Sequence, residues 1–213
     1  MKTLLALICV SSVLGAIAAE KSEIPSCCAP APAALVFKAS CCVEEKPAAP
    51  LTDKSLYQLN SAWTNDAGGS VALTTLRGRP VLIAMFFASC EYACPVLVND
   101  LKRLEAALPE DVRGNVQLVL VTFDTKRDTP PALRAFRERM ELGPQWTLLT
   151  STPSAVQELA MLLGVKFKQD SRGQFAHSNL ITVLNAEGEI VHQHAGLQGD
   201  VSTAAKVVAQ LPR

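Results

Sequence analysis

The chain has 213 residues, 49% hydrophobic and 19% charged, which is enough apolar material for one packed domain with appendages. Lysine plus arginine equals aspartate plus glutamate at 20 each, so no net charge argues for nucleic acid or an anionic membrane surface as a partner.

The chain opens with the features of an export signal. Lys2 is the one charge before an apolar run from Leu4 to Ala19, which ends in the small residues Gly15, Ala16, Ala18 and Ala19. Ala16-Ile17-Ala18 fits the cleavage rule, with Ala19 an alternative last residue, so residues 1–19 are expected to be a signal peptide. A retained anchor, which would keep the protein at a membrane, is the alternative. Against it, the run is shorter than the roughly 20 residues that span a bilayer comfortably. The expected location is the periplasm, in solution or on the membrane face. Thiols there pair unless a reductant or a metal holds them.

Residues 20–52 are rich in proline and alanine, with Pro25, Pro30, Pro32, Pro47 and Pro50 among them. Such a composition builds no core and predicts an extended tail or linker. It carries two vicinal pairs, Cys27-Cys28 and Cys41-Cys42. Neighbouring cysteines bridge each other only under strain, so the pairs are expected either to bind a soft metal jointly or to pair across the intervening loop. As a metal-binding arm, the tail would be an auxiliary segment that captures a soft metal.

Residues 53–213 alternate strand and helix signals, which predicts an α/β fold with a central mixed sheet flanked by helices. Tyr57 to Thr64 is expected to form an N-terminal β-hairpin across the Asn65–Gly69 turn. Val81 to Phe87 is a continuous apolar run, as for a strand buried on both faces. Pro95 follows at the first turn of a helix carrying Leu97, Leu101, Leu104 and Leu108, which Pro109 ends. Val116 to Phe123 predicts a second buried strand. Pro130 and Pro131 open a helix with Leu133, Phe136 and Met140 on one face. Trp146 to Leu149 is a short strand, and a helix runs from Thr152-Pro153 to Gly164. Leu180 to Leu184 and Glu189 to His194 pair around Asn185–Gly188. Asp200 caps a last helix through Gln210. This order is a thioredoxin-like plan with additions.

Cys90 and Cys94 carry the sharpest chemistry. They lie four apart at a strand-to-helix turn, where the partial positive charge and free N–H groups of a helix start stabilise thiolates. The pair can bridge as a redox-active disulfide or hold one ion. Of three histidines, His177 directly precedes a strand that, in a thioredoxin plan, starts opposite the cysteine turn. Two thiolates and an imidazole suit Cu(I), Cu(II) or zinc. His192 and His194 alternate along an edge strand and are expected to be ordinary surface residues.

FFASCEYACP, then LVLVTFDTKRDTP, then FAHSNLITVLNAEGEIVHQHAG, in that order, resemble the SCO/SenC family of copper chaperones for cytochrome c oxidase. The resemblance covers roughly residues 53–211. It implies a thioredoxin-like fold, copper held by Cys90, Cys94 and His177, and a copper-receiving partner such as a cytochrome c oxidase subunit. It implies either delivery of copper to the binuclear copper site of the oxidase or reduction of that site's cysteines. Asp124 matches the family's aspartate after the second strand, a secondary influence on the copper site. Asp128 and Pro130 match its D-T-P turn and are expected to cap a helix. Glu91-Tyr92 departs from the Pro-Asp common in the family.

The alternative is a client-specific thiol–disulfide oxidoreductase working through the same two cysteines. Against general exchange, the spacing is CxxxC rather than CxxC, and no proline stands between Pro153 and Pro212. A peroxiredoxin needs P-x-x-x-T-x-x-C, and Ile83 and Phe87 occupy those positions.

Overall fold

Residues 50–212 are described by a computed structural model. The expected signal peptide and the tail pairs Cys27-Cys28 and Cys41-Cys42 lie outside the described residues. Among the described residues no helix is long and apolar enough to cross a membrane.

The first expected hairpin is shorter than its sequence suggested. Strand β1 (Trp63–Asn65) pairs with β2 (Ser70–Val71) across the Asn65–Gly69 turn, but Leu56–Gln58 is a 3-10 turn. Leu56 and Tyr57 are adjacent and both buried. A strand sends neighbouring side chains to opposite faces, so a strand with one solvated face cannot bury both. Ser55 Oγ accepts the Tyr57 N–H at 3.2 Å and starts the turn instead.

β3 (Val81–Phe86) is buried at every position, as its unbroken apolar run requires. α1 (Ala93–Ala106) follows the cysteine loop, with Leu97, Leu101 and Leu104 fully buried at helical spacing. Pro95 is its third residue, where the missing N–H would have had no helical partner. Pro109 separates α1 from the one-turn α2 (Glu110–Arg113), and β4 (Gln117–Thr122) runs parallel to β3. α3 (Pro130–Arg139) packs on β5 (Trp146–Thr150), which lies parallel to β4.

α4 (Pro153–Leu163) is capped by Thr152, whose Oγ1 accepts the Ala155 N–H, and closed by Gly164 at φ 70°. That left-handed backbone costs glycine nothing and most other residues strain. Next come β6 (Phe167–Gln169) and β7 (Phe175–His177), an antiparallel pair that forms a sheet of its own. No strand was expected there, and His177 therefore ends a separate hairpin rather than opening the following strand.

β8 (Leu180–Leu184) and β9 (Ile190–Ala195) pair as expected, and Gly188 completes their turn. α5 (Ser202–Ala209) packs on α1 and β9. Asp200 bonds the Ser202 N–H and hydroxyl from just outside the helix. The main sheet has the order β2-β1-β5-β4-β3-β8-β9, parallel through β3, β4 and β5 and antiparallel outside them. The central strands β3 and β4, buried apart from Gln117 at the start of β4, therefore end side by side. The loops that leave them carry the chemistry.

Candidate metal centre

The cysteine loop is held from three directions. Asp128 Oδ2 accepts the Ala88 N–H at 2.8 Å, and Arg139 donates to the Ala88 carbonyl at 2.6 Å. The peptide two residues before Cys90 is thus clamped on both sides. Cys90 then folds back over the start of α1, and its Sγ accepts the Cys94 N–H at 3.2 Å. The residue at the N-cap, Tyr92, offers no side-chain bond. Sulfur stands where an oxygen from serine or aspartate would ordinarily satisfy a helix start.

That arrangement makes the two thiols unequal. The Cys94 side chain and the N–H groups of Cys94, Tyr92 and Ala93 lower the Cys90 thiol from its ordinary 9.0 to about 5, against the opposing effect of burial. Cys94 is pushed upward by its bond to Cys90 and by burial, and Asp128 adds to the shift. Cys94 is 0% exposed and Cys90 9%, so the thiolate sits on the more accessible sulfur. Both are free thiols.

In the reduced protein, Cys90 is expected to alkylate with a pH midpoint at about 5 and to reach its full rate by neutral pH. The same shift bears on stability. A thiol whose folded pKa is depressed contributes stability that is complete above the unfolded value and lost as pH falls through the folded one. The margin in urea stability of the reduced wild type over Cys90→Ser should therefore grow from about pH 5 toward pH 9.0. A margin flat across that window, or alkylation with an ordinary thiol midpoint, would refute the assignment.

His177 reaches the cysteines because aromatic packing seats its hairpin on the core. Phe87 follows β3 and Phe123 follows β4. Their rings meet Phe175 at centroid distances of 5.3 and 5.0 Å, and Phe123 stacks on Phe167 at 5.1 Å. The His177 ring lies 5.0 Å from Phe123 and edge-on to Phe87 at 6.0 Å. Its Nδ1 is 3.1 Å from the Ser178 carbonyl oxygen, which can only accept. Nδ1 therefore carries the ring proton, and the Nε2 lone pair faces Cys94 Sγ at 3.8 Å. The donor atoms of Cys90, Cys94 and His177 all lie within 4.8 Å of one another, and among the described residues no other trio of histidine, cysteine or acid groups does so.

Two soft sulfurs and one borderline nitrogen fit copper, especially Cu(I), while a structural zinc site ordinarily takes four ligands. A cavity of about 600 Å³ between the Asp53–Leu59 segment and Glu189–Ile190 contains none of these donors.

The remaining expected residues fall elsewhere. Asp124 is buried beside the site and pairs with Arg127, outside the donor trio. Asp128 does not cap α3. It is 2% exposed, bonds Ala88 and the Thr122 hydroxyl, and is raised in pKa chiefly by burial. The N-cap of α3 is Thr129, which makes no side-chain bond. Sequence alone ranked Asp128 too low, because its partner at Ala88 is 40 residues away. His192 and His194 lie on the edge strand β9, apart from the trio.

Residues 52–212 match a family model described as SCO1/SenC. A Stutzerimonas stutzeri protein, provisionally named as copper-binding, is 29% identical over 142 residues, which are 65% of this chain and 68% of that protein. Among solved structures, Bradyrhizobium japonicum ScoI with copper bound superposes with a TM-score of 0.61 at 21% identity, over 71% of this chain and 97% of that one. BsSco, in which a disulfide switch was identified and which belongs to the Sco family of cytochrome c oxidase assembly proteins, gives 0.59 at 21% identity over 71% and 92%. At these identities the solved structures establish a common fold.

Proposed function

The chain belongs to the SCO1/SenC family, and on that premise we propose that it is a copper metallochaperone whose ligands are Cys90, Cys94 and His177. The observation that carries the proposal is the convergence of two sulfurs and an imidazole nitrogen, from segments 83 residues apart, within 4.8 Å. Three donors with one accessible edge hold a soft cation and leave room for a receiving protein's sulfur to replace them one at a time. The proposed receiver is a cytochrome c oxidase subunit. Support comes from the copper carried by the Bradyrhizobium relative and the oxidase-assembly role of the BsSco family. Export to the periplasm, proposed on residues 1–19, would place the chain where such a subunit presents its metal site. The tail cysteines Cys27, Cys28, Cys41 and Cys42 are proposed as an auxiliary copper-capturing segment.

His177→Ala tests the ligand set. It is expected to lower copper affinity about 10- to 100-fold, the range for disturbing a ligand's supporting shell and a floor for losing a ligand. It should also change the thiolate-to-copper charge-transfer spectrum of the Cu(II) form, with thermal unfolding of the apoprotein little changed. Identical affinity and spectra in the variant would end the proposal.

The inequality of the thiols favours a second role, reduction of the receiver's disulfide. The Cys90 thiolate would attack one client sulfur and release the other as a thiolate. Cys94, losing its proton, would then attack Cys90 Sγ and release the second client thiol. The client gains two electrons and this chain is left with a Cys90–Cys94 disulfide. Copper binding and disulfide reduction draw on the same reduced pair and exclude each other at any one moment.

A further inference from the structure

The hairpin that carries His177 cannot hold itself in place. It has three residue pairs and no third strand, and a two-stranded ribbon of that size is at best marginal in water. Its inner face rests on Phe87 and Phe123 near the His177 end. Its turn, Asp170 to Gly173, extends beyond that aromatic contact and is tied back by one charged side chain.

That side chain is Arg127. Its Nε donates to Asp124 Oδ2 and its Nη2 donates to the Gly173 carbonyl. Asp124 also accepts the Arg127 N–H at 3.3 Å, and its own N–H donates to Thr122 Oγ1 at 3.0 Å, at the end of β4. Asp124 is 3% exposed and has no freedom to follow the hairpin outward. A polar chain thus runs from the central sheet through Asp124 and Arg127 to Gly173, four residues before His177. Gly173 suits the contact. Its φ is 76°, and a Cβ there would stand 3.3 Å from Arg127 Nη1, tight against the guanidinium. Arg127 touches none of the three donors, so its influence on them passes through the hairpin.

We propose that Arg127 is a positioning residue that latches the β6–β7 hairpin to the end of β4 and thereby keeps His177 within reach of the two sulfurs. The proposal rests on the copper reading of that trio. It gives the buried Asp124 a role without making it a ligand, since Asp124 orients the guanidinium that grips Gly173. With the latch undone, the sulfurs stay in place on α1 and the imidazole is the donor that leaves. Lys126, Lys168 and Arg172 are exposed cations nearby, but none of them makes the tie to Gly173.

The test uses the full chain carrying Arg127→Ala, His177→Ala and both together. Without copper, amide exchange over residues 167–177 should accelerate about tenfold or more in Arg127→Ala, while amides of β3 and β4 stay unchanged. With copper, Arg127→Ala should lower affinity about tenfold and weaken the imidazole nitrogen coupling in the electron paramagnetic resonance spectrum of the Cu(II) form. In the His177→Ala background the same substitution should add nothing. Unchanged exchange over the hairpin, or an equal loss of affinity with and without His177, overturns the latch. If the wild-type chain binds no copper, the copper reading fails, and the exchange result still decides whether Arg127 holds the hairpin.

Discussion

Cys94→Ser is expected to lower Cu(I) affinity by at least about 100-fold, because it removes a ligand outright where loss of a mere supporting partner already costs 10- to 100-fold. Cys94 Sγ lies 3.8 Å from the His177 nitrogen, and Cys94 is the fully buried member of the pair. A serine hydroxyl at that position is a hard, weakly acidic donor that a soft cation accepts poorly. Its burial without a full set of partners should also cost about 1–3 kcal/mol of stability. Cys90→Ser should lose comparable affinity, with a stability cost that rises with pH between about 5 and 9.0 as the wild-type thiolate forms. Competition against a Cu(I) chelator gives the affinities, and urea unfolding of the apoproteins gives the stabilities. If Cys94→Ser binds within tenfold of the wild type, Cys94 is not a ligand.

Phe123→Ala is expected to destabilise the domain by about 3–5 kcal/mol, the range for deleting a buried aromatic ring. Phe123 is 4% exposed and its ring meets Phe87, Phe167, Phe175 and His177. It is therefore the hub between the central sheet and the hairpin, and its loss should loosen both. Total stability is typically about 5–15 kcal/mol, so copper binding is measured on Phe123→Ala protein that far-UV circular dichroism shows to be folded. Its affinity should fall with that of His177→Ala, while Phe123→Leu, which keeps most of the apolar volume, should recover most of both effects. Urea unfolding and copper titration of the two variants check this. A Phe123→Ala protein that keeps wild-type affinity would show that the imidazole is held by something other than this aromatic cluster.

Several features of the site were legible because they are local. Cys90, Cys94 and Pro95 lie within six consecutive residues, and the chemistry of a helix start acts over that distance. The hairpin of β6 and β7 was missed although it left a trace. Phe167 and Phe175 each open a short stretch on either side of a turn with aspartate, serine and glycine. Three-residue strands with a single phenylalanine each are too short to stand out from a charged loop. Tyr57 erred the other way. The apolar pattern of Leu56 to Leu59 resembles a strand, but both neighbours are buried and Ser55 turns the backbone.

By itself the sequence determined the order of elements, the two buried strands, the helix starts marked by proline and threonine, and the pair of sulfurs at one helix start. Those depend on backbone sterics, periodicity and bonds between residues a few positions apart. Only the tertiary structure decided that Asp128 clamps the cysteine loop, that Arg127 ties the hairpin through Gly173, and that His177 Nε2 points at Cys94. Each of these is a contact across 40 or more residues. Such contacts exist because the parallel strands β3 and β4 end together and four phenylalanines close over that end. No spacing along the chain encodes that meeting; the packing of the folded core produces it.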